Sequence, residues 1–317
     1  MGTPKALIEI NNLSILFRIA EQVKNSGIDD LIILLGYKHY CFEDEINRIK
    51  KVLKLNVYIN IEDNPLGECG ALWDLKKVFN YEYLLFINGD IVFNVDFKRL
   101  FSFSERLSSK FTLVTHTTTH PEDSDLVRAP NGSQITDFIF KDKVNNSQKI
   151  AFLGNTGISF FKTEILKKVK KNKTNLKPNI FKHLAYEYFL TGGRVFSYNT
   201  SEYIKDMGTP ERIIKVKKAI LEKKIEKKCY RNKQKCLFLD RDNTLIECDE
   251  SEYILSKDRI KIKDQNVKSI LKFAKDFDLI IVVTNQPQIS MGLISFDELY
   301  DINSLLINQL LDFKELW

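Results

Sequence analysis

Tyr83-Leu-Leu-Phe-Ile-Asn-Gly-Asp90 is the stretch that decides the fold, an unbroken apolar run that ends in a turn and a carboxylate. Such a run suits a strand, and in open α/β sheets ligands gather at the carboxyl ends of the strands, where Asp90 is expected. On the N-terminal side helices and strands alternate. Ile15 to Val23 is amphipathic and stops at Asn25-Ser26-Gly27, Leu31 to Leu35 reads as a buried strand, Tyr40 to Leu53 as a helix and Asn56 to Ile61 as a strand. A further helix is expected from about Ala71 to Phe79. On the C-terminal side the pattern turns β-rich: Phe111 to Thr117, Gln134 to Phe140 and Ile150 to Phe161 alternate or run apolar, with Asn131-Gly132 as a turn. The whole predicts an α/β domain.

Several places in this region carry chemistry. Pro65-Leu-Gly-Glu-Cys-Gly-Ala-Leu72 sets Gly67 and Gly70 ahead of the expected helix, which lets backbone N–H groups approach a base or a phosphate. Asp90, and Asp206 within Tyr203-Ile-Lys-Asp-Met-Gly-Thr-Pro-Glu211, supply two carboxylates able to share one Mg²⁺. A plainer reading stands beside this one: Asp206 precedes Thr209-Pro210-Glu211, a good helix start, and capping alone accounts for that neighbourhood.

Taken in order, these pieces resemble the sugar-1-phosphate nucleotidyltransferases. The matching segments are PKALIEI from Pro4, GIDDLIILLGY from Gly27, NPLGECGALWDL from Asn64, LLFINGDIVFNVD from Leu84, FIFKDK from Phe138, GNTGISFF from Gly154 and YIKDMGTPERI from Tyr203. The resemblance implies a GT-A-like, Rossmann-type domain with Lys5 on the phosphates, Gly67 and Gly70 at the nucleobase, and Asp90 and Asp206 on the metal. It also implies Asp142, Lys143, Asn155 and Gly157 around the sugar phosphate. The stretch His116 to Val127 looks most like the enzymes that put GMP on heptose 1-phosphate, and His116 and His120 read either as substrate contacts or as polar residues of a surface loop. The implied reaction is in-line attack of the sugar phosphate on the α-phosphorus of a nucleoside triphosphate, GTP by this resemblance, with release of pyrophosphate. The family's first strand and its Gly-rich GGxGTRL loop are expected to be lacking, which would leave Leu31 to Leu35 and Leu84 to Ile87 without a shared neighbour strand.

A second site is read from Cys236-Leu-Phe-Leu-Asp-Arg-Asp-Asn-Thr-Leu-Ile246, where an apolar run ends in Asp240 and Asp242. One carboxylate can attack a phosphoryl group and hold Mg²⁺ while the other carries a proton. The plain alternative is a strand followed by an acidic turn. Leu279 to Val283 is another buried-strand pattern and ends in Thr284 and Asn285, whose side chains suit a phosphate; helical spacing over Val267 to Phe277 joins the two strands as a βαβ unit. Residues 235 to about 312 resemble the haloacid-dehalogenase phosphatases, in the branch acting on heptose bisphosphate and histidinol phosphate. The resemblance implies Asp240 as nucleophile, Asp242 as general acid/base, Thr284 and Asn285 as phosphate ligands and Mg²⁺ on the aspartates. Asn243 stands where that family has glycine, and the family's later lysine, acidic pair and Cys/His zinc cluster are expected to be lacking.

Composition sets the bounds. A chain of 317 residues with 44% hydrophobic and 28% charged residues is expected to form two soluble globular domains. No apolar run nears the roughly 20 residues of a spanning helix, and the start lacks a signal-peptide core, so the expected place is the cytoplasm with no membrane partner. The 5 cysteines are scattered without CxxC pairing, so neither a disulfide framework nor a zinc site follows from them. A net charge of +6 is partly concentrated between Lys215 and Lys235, read as a solvated interdomain helix or as an anion-attracting surface, with no nucleic-acid module beside it. The expected layout is 1–212 nucleotidyltransferase, 213–232 basic linker helix and 233–317 partial phosphatase. The expected function is bifunctional: dephosphorylation of a sugar bisphosphate and nucleotidyl transfer to the 1-phosphate, in nucleotide-activated heptose synthesis. The competing readings are a non-catalytic remnant or sugar-phosphate-binding subunit, and a transferase for mannose or glucose 1-phosphate.

Overall fold

The computed structural model describes residues 3–118, 121–143, 152–169, 178–249, 252–311 and 313, apart from the side chains at 76, 77, 122, 143 and 311. The chain falls into two compact units: Met1–Val114 with Thr156–Tyr198 and Glu202–Arg231, and Thr115–Asn155 with Asn199–Ser201 and Asn232–Trp317.

The chain opens with a single 3₁₀ turn, Lys5–Leu7, and a small hairpin of β1 (Glu9–Ile10) and β2 (Leu13–Ser14). Ser14 caps α1 (Ile15–Asn25) by accepting the Phe17 N–H at 2.9 Å. α1 is apolar on two sides and so belongs to two cores. Ile15, Ile19 and Val23 pack in the cluster of Phe93, Phe97 and Val216, while Leu16, Phe17 and Ala20 pack in that of Ile33, Ile46 and Val57. β3 (Asp30–Leu35), α2 (Glu43–Leu53) and β4 (Asn56–Ile61) form a parallel βαβ unit with Leu31 opposite Val57. The run Leu31 to Leu35 reads as a buried strand, but only Ile33 and Leu35 of it are buried. The sheet of β3 and β4 has two strands; its packed face is the one carrying Ile33, Leu35 and Val57, and Ile59 and Ile61 stay 46% and 49% exposed.

The helix expected over Ala71 to Phe79 is instead two 3₁₀ turns, Gly70–Trp73 and Lys76–Asn80. Leu75 takes an extended ψ of 92° between them, and the Trp73 indole N–H is drawn away to the Val169 carbonyl at 2.9 Å. Next come β5 (Tyr83–Ile87), β6 (Ile91–Phe93), α3 (Phe97–Arg106) and β7 (Phe111–Thr117). β8 (Leu126–Arg128), β9 (Asp137–Ile139), β10 (Leu153–Lys162) and α4 (Ile165–Lys168) follow. A π turn, Phe181–Ala185, runs into α5 (Tyr186–Leu190), ahead of β11 (Val195–Asn199) and β12 (Ile204–Asp206).

In the first unit β10 lies between β7 and β5, with Ile158 opposite Ile87 and Lys162 opposite Tyr83, and β12 pairs antiparallel with β6. β3 and β5 share no neighbouring strand among the described residues. The basic stretch expected as one helix is two, α6 (Pro210–Leu221) and α7 (Lys224–Lys227), broken where Lys223 adopts φ +54°. Their apolar face is buried through Val216, Ala219, Ile220 and Ile225. Buried Glu202 then accepts the N–H groups of Asp96 at 2.9 Å and Tyr230 at 3.0 Å, and Arg231 donates to Asn94 at 2.7 Å, fastening the end of the unit.

In the second unit β8 pairs with β9 and with the start of β10. β13 (Cys236–Asp240), α8 (Asp264–Ala274) and β14 (Leu279–Val283) make the expected parallel βαβ, with Asp240 opposite Val283, and α9 (Phe296–Leu311) adds Ile302, Leu306 and Leu310 to its core. β8 and α9 are joined by Arg128, which reaches Asp301 at 2.6 Å and Asp297 at 3.4 Å and stacks over Tyr300. No helix among the described residues is long and apolar enough to cross a membrane.

Candidate functional site

β5 ends at Ile87, and Asn88-Gly89-Asp90 turns the chain into β6. The β6–β12 ladder places Asp206 opposite Ile91, and the Met207 N–H donates to the Asp90 carbonyl at 2.9 Å, so the two aspartates occupy adjacent rungs at one end of the ladder. The 3₁₀ turn at Lys5 lies beside the same place: a Cβ on Gly89 would stand 4.0 Å from Ala6 Cβ, and Lys5 Nζ is 3.4 Å from Asp90 Oδ2. Both partners of that ion pair are well exposed, so it contributes under about 1 kcal/mol and orients more than it stabilises.

Asp206 is held differently. Its Oδ1 accepts the Gly208 N–H at 2.9 Å and the Arg212 guanidinium at 2.6 Å. Burial pushes the carboxyl upward, but those two donors outweigh it and hold it below the usual carboxylate range. The helix cap belongs to Thr209, which accepts the Arg212 N–H at 3.3 Å, so Asp206 is left for another role. Oδ2 of Asp206 makes no hydrogen bond among the described residues. Two hard oxygen donors on one ladder suit a divalent cation that keeps most of its waters. No cluster of three or more His, Cys, Asp or Glu side chains able to hold a metal occurs among the described residues.

Asn88 and Gly157 meet on the β5–β10 pair. The Asn88 N–H donates to the Gly157 carbonyl at 3.0 Å, and a Cβ on Gly157 would stand 2.9 Å from Asn88 Nδ2. Gly157 also has φ +80°, a region where an L side chain is strained. The Asn88 amide oxygen is buried with no hydrogen-bond partner among the described residues, an acceptor without a donor next to Asp90. Gly157→Ala is therefore expected to destabilise the chain by about 2–3 kcal/mol through strain and collision together. A shift of the urea midpoint would measure it, and an unchanged midpoint would show that Asn88 moves aside freely.

Gly67 turns its loop with φ +79°. Gly70 is buried, and its Cβ would fall 2.9 Å from Leu66 Cβ and 3.3 Å from Pro178, so packing alone demands glycine there. The remaining sugar-phosphate candidates lie in the second unit, where Asp125 gathers their backbones: its carbonyl accepts the Asn155 N–H at 2.9 Å and its carboxylate the Lys141 N–H at 3.1 Å, next to Asp142. Lys143 ends that 3₁₀ turn, Lys141–Lys143. His116 sits on β7, with its ring 3.6 Å from a Cβ placed on Gly154, and His120 lies outside the described residues.

The two strand ends of the second unit also converge. Asp240 is exposed and accepts the Arg241 N–H at 2.8 Å; Thr284 follows Val283, its rung partner, and Asn285 is exposed beyond it. Asp242 is more constrained. Arg241, 1% exposed, grips it through Nε at 2.9 Å and Nη2 at 3.1 Å, and Gln286 donates to it at 2.8 Å and to Thr284 at 2.7 Å. Asn243 takes φ +58°, the left-handed value for which glycine is the usual choice and asparagine the next.

Sequence reading missed Arg212, Asn88, Arg241 and Gln286. Arg241 stands between Asp240 and Asp242 and Gln286 follows Asn285, yet nothing local marks an arginine as buried. Arg212 lies six positions from Asp206 and is aimed at it by the Thr209 cap; the cap itself was legible.

A model of the family described as Nucleotidyl transferase matches residues 1–223. Mannose-1-phosphate guanylyltransferase catalytic subunit beta of Xenopus tropicalis is 25% identical over 215 residues, covering 67% of this chain and 57% of that protein. Mannose-1-phosphate guanyltransferase of Saccharomyces cerevisiae is 23% identical over 218 residues, again 67% of this chain and 57% of that protein. The chain thus spans a little over half the length of these relatives. Among solved structures, HddC from Yersinia pseudotuberculosis, also solved complexed with GMP-PN, has 21% identity and a TM-score of 0.55, covering 69% of this chain and 90% of that one. At that identity the likeness shows the fold.

Proposed function

The chain belongs to the nucleotidyl transferase family, and we propose that it transfers GMP from GTP to a sugar 1-phosphate, with D-glycero-D-manno-heptose 1-phosphate as the sugar. The observation that carries the reading is the β6–β12 ladder, which brings Asp90 and Asp206 to one end with Lys5 beside the first. In this reading residues 1–212 are the transferase part and 213–232 the basic segment after it. A sugar-phosphate oxygen forms a bond to the α-phosphorus, the bond to the bridging oxygen breaks, and pyrophosphate leaves. Asp90 and Asp206 would hold a divalent cation, Mg²⁺, which when bound supplies charge neutralisation at the reacting phosphoryl group. Lys5 donates to the phosphates, and Arg212 fixes the Asp206 carboxylate in place. Gly67 and Gly70 let the loop lie close under the base. The order of the motifs assigns Asp142, Lys143, Asn155 and Gly157 to the sugar phosphate.

A second activity in residues 233–317 is favoured by Asp240 at the end of β13, opposite Val283, with Thr284 the first residue after β14. There Asp240 is the nucleophile on a sugar bisphosphate, Thr284 and Asn285 hold the phosphate, and Asp240 and Asp242 bind Mg²⁺. Asp242 as acid/base requires its Arg241 pair to open during turnover.

One assay panel separates these claims: pyrophosphate release from GTP with heptose or mannose 1-phosphate, and phosphate release from D-glycero-D-manno-heptose 1,7-bisphosphate, all with Mg²⁺. Expected are kcat/KM for the heptose at least about tenfold above mannose, a difference of about 1.4 kcal/mol, and phosphate release that Asp240→Asn abolishes. Preference for mannose 1-phosphate would remove the heptose assignment and keep the transfer. No pyrophosphate with either sugar would remove the transfer, and phosphate release unaffected by Asp240→Asn would remove the phosphatase site.

A further inference from the structure

The first unit carries a cavity of about 460 Å³ lined by Ser108, Lys110, Lys168, Tyr188, the turn from Thr191 to Arg194, and Phe196. It lies at the other end of β5 and β10 from Asp90. The Lys162 N–H donates to the Lys110 carbonyl, and Lys162 pairs with Tyr83, four rungs from the Ile158–Ile87 pair beside Asn88. At about 3.4 Å per residue that is about 14 Å along the strands.

Three cations face this cavity. Lys110 forms an ion pair with Glu164 at 2.8 Å, Lys168 is close enough to act on that same carboxylate, and neither Lys168 nor Arg194 makes an ion pair of its own among the described residues. Their charge is thus offset by one carboxylate, and an excess of two positive charges gathered in a concavity attracts a dianion. The walls are also shaped. Gly192 turns the chain with φ +83°, and a Cβ on Gly193 would overlap the Tyr188 ring, so the turn is pressed onto a buried aromatic floor. Arg194 lies over Phe196 with its guanidinium carbon 5.8 Å from the ring centroid, which orders it before any ligand arrives. Hydroxyl groups of Ser108, Thr191 and Tyr188 complete the lining. The volume falls within the range of about 300–1,000 Å³ typical of small-molecule sites, larger than one phosphate needs.

We propose that this cavity is a second ligand site, separate from the Asp90 site, that binds a small phosphomonoester of sugar-phosphate size. Lys110, Lys168 and Arg194 take its phosphate, and the Ser108, Thr191 and Tyr188 hydroxyls take its own hydroxyl groups. The inference does not depend on which sugar the transferase uses.

The test is calorimetric titration of the full chain at low ionic strength with glucose 6-phosphate, and with inorganic phosphate as the size control. Glucose 6-phosphate is expected to bind at least about tenfold more tightly than phosphate, because its hydroxyls add about one good hydrogen bond in net terms. Lys168→Glu/Arg194→Glu should weaken it at least about tenfold, and Lys168→Ala about threefold, as loss of charge-assisted bonds requires. Lys5→Ala should leave it within about twofold. Both replaced side chains are exposed, and an unchanged urea midpoint confirms that the variants fold. The proposal is overturned by equal affinity for phosphate, by binding that survives the double reversal or is lost in Lys5→Ala, or by no binding below about 10 mM.

Discussion

Asp90→Asn is expected to lower nucleotidyl transfer by about 10²–10³-fold while leaving the fold intact. The magnitude is that of removing one preorganised group from a centre where charge develops in the transition state. The substitution keeps the shape and removes the charge that would hold a divalent cation. Little stability is at risk, because the Asp90 side chain makes one hydrogen bond among the described residues, to exposed Lys5 at 3.4 Å. Its carbonyl still accepts the Met207 N–H, so the β6–β12 ladder survives. Steady-state pyrophosphate release set beside a urea titration would check both halves. A rate loss under about fivefold would take Asp90 out of the reacting centre.

The largest effect on stability is expected at Arg241. Its side chain is 1% exposed and spends every donor group on neighbours: Nε and Nη2 on Asp242, Nη1 on Asn303 at 3.1 Å, and Nη2 again on Gln286 at 2.6 Å. Arg241→Met has comparable volume but takes two donors from the Asp242 carboxylate and one each from the Asn303 and Gln286 amide oxygens, while Gln286 still donates to Asp242 and Gln288 to Gln286. The expected cost is about 3 kcal/mol, the loss of the hydrogen bonds to a charged group, since the Asp242 carboxylate is 30% exposed and keeps part of its solvation. Hydrogen exchange should show lost protection over β13, β14 and α9, the elements that the guanidinium ties together. Arg241→Lys restores the charge without the planar fork and should recover only part of it. Protection unchanged in Arg241→Met would mean that the network adds geometry and no stability.

These two sites show how far the chain could be read in advance. Asp90 and Asp240 were placed at strand ends from apolar runs alone, and the structure puts them one turn beyond β5 and at the end of β13; Asp206 was read only as part of a motif before a helix start, and the structure adds that it closes β12. The parallel pairing of β13 with β14 also followed, because a helix between two short apolar runs leaves little other choice. The helix over Ala71 to Phe79 failed for a nonlocal reason, since Trp73 gives its indole N–H to Val169 across the fold. Arg128, Asp301 and Tyr300 hold β8 and α9 together in one compact unit, a contact across 173 residues that no local pattern announces.

What the sequence determined by itself was the α/β alternation, the order of the motifs and the carboxylates that end the strands. These depend on periodicity and on neighbours a few residues away. Only the tertiary structure decided which cation meets which aspartate, that Gly70 and Gly157 serve close packing, that Asn88 keeps an unpartnered oxygen, and that a basic cavity forms at the far end of β5. Each of those depends on residues distant in sequence brought within contact and on how much water the contact excludes, and no local pattern encodes either.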